Sequence, residues 1–195
     1  SNIHDNTADF GGGIGFLNTL LWNANELFTL VINDSRIDSN EAIVDGGGIW
    51  VNSTGAELIG IINGSTISNN TADAGAGLYT QSIDYSSAPS TGRLAVNNST
   101  LSGNIATNDG GALHIFQDVN IFGNGVLTEA GLNNVTLVNN MGSGTQNALH
   151  ADRGAITVQN SLVSDTPLAA SPTHCTTANV GVISSAGHNL ESDTS

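Results

Sequence analysis

Four ring-bearing residues, Trp50, Tyr79, His114 and His150, each follow the Ile or Leu of a Gly-rich segment. If those segments are strands stacked side by side, the rings line one outward face at about 4.8 Å per step. Aromatic faces stack on sugars, so the column could be a glycan track. It could equally be a ladder that only protects a sheet, each cross-strand pair adding roughly 0.2–1 kcal/mol. Near its end, His150, Asp152 and Arg153 could supply acid–base chemistry. Asp152 would orient His150, and Arg153 would neutralise a substrate carboxylate. Carboxylates also recur beside the Gly turns, at Asp9, Asp45, Asp73 and Asp109. A calcium ion could relieve their repulsion. Solvated loop carboxylates need no metal, and no single turn supplies the roughly six to eight oxygens that calcium takes.

These residues are positioned by a repeat. One unit reads Ser35-Arg-Ile37-Asp-Ser-Asn40-Glu-Ala42 and then Gly46-Gly-Gly-Ile49. It recurs from Ser65 to Leu78 and from Ser99 to Leu113, and more faintly from Leu137 to Leu149 and at Asn160–Val163. The chain opens on the same motif, at Ser1 to Ile14. That start predicts a piece of a longer protein. The anchors Ile3, Ile37, Ile67, Leu101, Leu137 and Val163 are 34, 30, 34, 36 and 26 residues apart. A constant motif at varying spacing means loops of varying length on a fixed frame.

Each unit predicts three short strands, in the second unit Gly48–Asn52, Leu58–Asn63 and Ser65–Ser68. Alternation puts Ile49 and Val51 inward and Trp50 and Asn52 outward. Two Asn columns hold phase: Asn6, Asn40, Asn70, Asn104 and Asn140, then Asn33, Asn63, Asn97 and Asn133 followed by Gln159. Stacked amides can bond along a coil, although turn preference alone also selects Asn. The longer connections, 18–28, 82–92 and 117–130, leave one corner, and recognition usually sits on such loops. Leu20–Phe28 is the most apolar, and Tyr85 and Pro89 could form a flap beside the rings.

Composition narrows the function. The 195 residues include 17 acidic residues against three arginines (Arg36, Arg93, Arg153), no lysine, and a net charge of −14. Nucleic-acid binding needs a basic surface and is excluded. No apolar stretch of 18 or more residues could cross a membrane as a helix. No P-loop, HExxH, GxSxG or EF-hand loop occurs. Gly11-Gly-Gly-Ile-Gly-Phe16 lacks the Asp that a GGxGxDx calcium repeat requires.

The motif resembles the right-handed parallel β-helix repeat proteins of bacterial surfaces and secretions. Leu101-Ser-Gly-Asn104 followed by Gly110-Gly-Ala-Leu113 is similar to the FxxN and GGA-[ILV] repeats of polymorphic outer-membrane proteins, with Leu101 in place of Phe. Cys175 and the stretch Ser184-Ser-Ala-Gly187-His-Asn-Leu190-Glu-Ser-Asp193 resemble the end of such helices. The resemblance implies an extracellular or cell-surface protein, and for Cys175 a disulfide partner beyond Ser195. The fold expected is all-β, a right-handed parallel β-helix of about five to six rungs with Asn ladders. It forms a single domain over residues 1–195, with clear repeats over 1–165 and a terminal rung or cap over 166–195. The function expected is a non-catalytic surface module: adhesin, stalk or fibre subunit. The alternative is a carbohydrate-binding or polysaccharide-degrading β-helix protein. Partners would be a glycan, adjacent domains of the parent chain, or copies stacked head to tail.

Overall fold

The computed structural model describes residues 1–19, 27–83, 91–118, 127–142, 148–164 and 174–191. Most of the three long connections lies outside the described residues, including Leu20 to Glu26, Tyr85 and Pro89, as does the tail from 192.

The described chain is a coil of short strands without a helix. Its first turn is β1 (Asn2–His4), β2 (Thr7–Phe10), β3 (Ile14–Thr19) and β4 (Leu27–Asn33). The second is β5 (Arg36–Asp38), β6 (Glu41–Asp45), β7 (Ile49–Thr54) and β8 (Glu57–Asn63). The third is β9 (Thr66–Ser68), β10 (Thr71–Ala72), β11 (Leu78–Ile83) and β12 (Thr91–Asn97). The fourth is β13 (Thr100–Ser102), β14 (Ile105–Ala106), β15 (Leu113–Gln117) and β16 (Leu127–Asn133). Among the described residues the next two turns show three strands each: β17 (Thr136–Val138), β18 (Leu149–Asp152) and β19 (Ala155–Gln159), with Met141 bridging Ile105 on the second side, then β20 (Leu162–Ser164), β21 (Cys175–Ala178) and β22 (Val182–Ser185). Finally, β23 (Leu190–Glu191) pairs with β20.

Every strand pairs in parallel with its counterpart one turn away, giving four sides in all. The first side is β1-β5-β9-β13-β17-β20-β23 and the second β2-β6-β10-β14. The third is β3-β7-β11-β15-β18-β21 and the fourth β4-β8-β12-β16-β19-β22. This is a parallel β-helix with four complete four-sided turns. The second side corrects the expectation of three strands per unit. Its strands are only two to five residues long, too short for alternation to show in the sequence.

The anchor column pairs in register from Ile3 through Ile37, Ile67, Leu101 and Leu137 to Val163. It meets Ile49, Leu78, Leu113 and Leu149 in one continuous core. Burying each such side chain stabilises the coil by roughly 1.5–3 kcal/mol. The corners are left-handed. Asp5, Ser39, Asn69, Gly103 and Asn139 turn the first, with φ between 55° and 63°. Gly11, Gly46, Gly75 and Gly110 turn the second, and Asp34, Gly64, Asn98, Asn134 and Asn160 the third. Gly, Asn and Asp are the residues that occupy this region at least expense.

The first Asn column is a buried ladder. Asn40 Nδ2 donates to Asn70 Oδ1 (3.0 Å) and to the Ile3 carbonyl (3.1 Å), and its backbone N–H donates to the same Asn70 Oδ1 (3.0 Å). Asn6, Asn70 and Asn104 likewise donate to Asn40, Asn104 and Asn140. The second column is partly exposed and runs the other way, Asn63 donating to Asn33 and Asn97 to Asn63. At its far end Gln159 pairs with Asn133 in the backbone register, but the amide bond to Asn133 comes from Asn160.

A serine ladder is a further element that the sequence did not announce. Ser35 and Ser65 N–H groups donate to Ser65 and Ser99 Oγ, and each serine hydroxyl donates to the carbonyl two residues before it. At the last step Asn189 replaces serine, accepting from the Ser161 N–H (2.9 Å). The Gly187-His-Asn-Leu190 stretch thus builds one more rung.

Candidate functional site: the ring column of the third side

The column forms in the expected register: Gly15, Trp50, Tyr79, His114, His150 and Thr176 are successive partners across β3, β7, β11, β15, β18 and β21. Ile49 and Val51 enter the core as expected. The column is not open to solvent, however. Tyr79, His114 and His150 are 7%, 9% and 6% exposed, and Asn52 on the same face is 5% exposed. Alternation shows which side of a strand a residue takes, not what covers that side.

The rings contact each other along the coil. Tyr79 and His114 centroids are 5.0 Å apart, and His114 meets His150 edge-on at 4.6 Å. Phe10 stacks beside Trp50 at 5.1 Å. Gly15 leaves the first position of the column without a ring, and Phe10 from β2 stands next to it. That gap is the one sign of Phe10 that the sequence offered.

The proposed acid–base group is arranged differently from expectation. His150 Nδ1 is 2.7 Å from Thr176 Oγ1, and the carboxylate that approaches it is Asp109 at 3.8 Å. Asp152 accepts instead from Asn179 Nδ2 (2.6 Å) and lies 3.8 Å from Arg153. Arg153 stands at a left-handed corner, its guanidinium 6.0 Å from the Phe116 ring centre.

The four turn carboxylates do not share a site. Asp9 is exposed on β2, and Asp73 accepts from Thr107 Oγ1 (2.6 Å) and Asn108 Nδ2 (2.8 Å). Asp45 ends β6 and Asp109 faces His150. Among the described residues no three His, Cys, Asp or Glu side chains are placed to hold a metal ion.

Three groups on or beside this side titrate abnormally. Burial pushes His114 down to about 4, assisted by His150; Asp109 and Asp152 oppose this only in part. Burial pushes Asp45 up to about 6, assisted by Asp73. Burial also raises Tyr79, with Asp45, Asp152 and Asp118 adding to it. Asp45 holds its proton more tightly folded than unfolded, so its contribution to stability grows as pH falls from about 6 to 4. Above pH 6 its half-buried charge is a net cost. Asp45→Asn is therefore expected to raise the melting temperature at pH 7.5 by about 1–3 °C, reduced by solvent screening, and to have no effect at pH 4. Equal melting shifts at both pH values would contradict the assignment.

The chain matches no family model, no curated protein and no solved structure. What the site can do rests on its own chemistry. Three of the four rings are closed to a ligand, and the acid–base groups are bonded to structural neighbours. The open part is the Phe10–Trp50 corner, where Phe10 is 44% exposed.

Proposed function

We propose that the chain is a non-catalytic module of an extracellular surface protein, a stalk, fibre or adhesin segment like those of the bacterial β-helix repeat proteins its motif resembles. The observation that supports this reading is the internally laddered coil. Backbone pairing on every side runs along the coil axis, with a buried Asn ladder beside it. Such a coil is a stiff spacer. Its acidic, lysine-free composition keeps like rods apart in solution.

The test combines force and turnover. Stretched from its two ends, the chain is expected to resist and then rupture cooperatively, with Asn70→Ala rupturing at lower force. Incubated with neutral and acidic polysaccharides, with and without Ca²⁺, it should release no cleaved product. A gradual, soft extension would sink the stalk reading, and polysaccharide cleavage would sink the non-catalytic one.

The Phe10–Trp50 corner favours a second reading, glycan recognition without cleavage. Two adjacent rings, one of them exposed, are a platform for a sugar face. Saturable glycan binding abolished by Phe10→Ala would move the function to that corner.

A further inference from the structure

We propose that the stacked imidazoles of His114 and His150 form an acid-sensitive latch on the third side of the coil, closed at neutral pH and loosened in mildly acidic surroundings. The two residues are direct partners on β15 and β18, with ring centres 4.6 Å apart. Tyr79 closes the stack from β11 at 5.0 Å. Among the described residues neither nitrogen of the neutral, buried His114 ring has a side-chain hydrogen-bond partner. A proton arriving there finds only the Asp109 backbone to bond.

The charged and titratable surroundings do not rescue it. From the turn before β15 comes Asp109, whose carboxylate lies 3.8 Å from His150 Nδ1. Its backbone also favours a charged His114, as the smallest of the opposing influences. From β18 come His150, with Nδ1 against Thr176, and Asp152, occupied by Asn179 and Arg153. From β11 comes Tyr79, a neutral phenol; Asp118 directly follows β15, and Asp45 ends β6 on the second side. His174 is buried just before β21. Burial and the facing imidazole outweigh the carboxylates, which is why His114 stays neutral down to about pH 4.

The sign follows from linkage. An opened His114 protonates near its ordinary value of about 6.5, whereas the closed one does not. Stability is complete above pH 6.5 and is lost as pH falls toward 4. Between pH 7.5 and 5.0 the equilibrium for opening this side rises by about 30-fold. Asp45 acts in the opposite sense from β6, so a local measurement is needed.

Hydrogen exchange of the whole chain, corrected for the intrinsic effect of pH, supplies it. Amides of 113–117 and 148–152 are expected to open about 10- to 30-fold more at pH 5.0 than at 7.5. Those of 66–68 and 100–102 on the first side should change much less. His114→Phe keeps a ring in the stack without a titrating group, and its third side should be insensitive to pH. Equal protection of the natural chain at both pH values, or an unchanged response in His114→Phe, would overturn the latch. Should that variant fail to fold, the His114 ring can be titrated by NMR in the natural chain. A midpoint below 5 supports the latch, and one near 6.5 overturns it.

Discussion

Asn70→Ala should destabilise the coil by about 3–5 kcal/mol, enough to lower its melting temperature by about 10 °C. Asn70 is fully buried and sits in the middle of the ladder. Its Oδ1 accepts from both the backbone N–H and the side chain of Asn40, at 3.0 Å each. Its Nδ2 donates to the Ile37 carbonyl (3.1 Å) and to Asn104 Oδ1 (3.0 Å). Alanine removes all four bonds and leaves buried donors and acceptors on both neighbouring turns without water to replace it. Each orphaned group costs about 1–3 kcal/mol. Asn70→Asp should be at least as damaging, because a carboxylate cannot donate and would bring a buried charge. Asn63→Ala is the control. It breaks bonds to Asn33 (3.1 Å) and from Asn97 (3.0 Å), but in a partly exposed column where water substitutes. Its expected loss is under about 1 kcal/mol. Denaturant midpoints for the variants check this, and equal losses at positions 70 and 63 would show that burial does not set the ladder's value.

Gly46→Ala should cost about 3–5 kcal/mol, by backbone strain rather than lost bonding. Gly46 holds φ at +69°, and a Cβ there would stand 2.6 Å from the Ile49 carbonyl and 2.7 Å from Trp50 Cβ. The corner cannot relax. The Gly46 N–H donates to the Ala74 carbonyl (3.0 Å), and the Gly46 carbonyl accepts from Gly12 (3.2 Å). The same corner is glycine in all four complete turns, with φ between 57° and 69°. Gly64 makes the comparison sharp. It too has positive φ (+58°), but its Cβ would meet only the tip of exposed Asp34. Asn98 and Asn134 hold the equivalent position at +50° and +56°. Gly64→Asn is therefore expected to lie within about 0.5 kcal/mol of neutral. Similar losses for Gly46→Ala and Gly64→Asn in urea unfolding would refute the distinction between a crowded corner and an open one.

The repeat made most of the fold legible. Constant motif phase put Ile3 through Val163 in one column and aligned Trp50, Tyr79, His114 and His150, because parallel turns stack like on like. It also identified Asn40, Asn70 and Asn104 as a ladder. The second side escaped notice because β10 and β14 are two residues each. The serine ladder was overlooked although Ser35, Ser65 and Ser99 open every clear repeat. Their hydroxyls are turn-formers by type, and only the pairing revealed that each one bridges two turns.

Sequence alone determined the period, the parallel stacking and the identity of each column, since these follow from residue type and spacing along one chain. Tertiary structure decided exposure and partnership. It closed the rings of Tyr79, His114 and His150, turned His150 toward Thr176 instead of Asp152, and placed Phe10 beside Trp50. Those outcomes depend on what lies across the gap between turns and over each side. Strand periodicity contains no information about either.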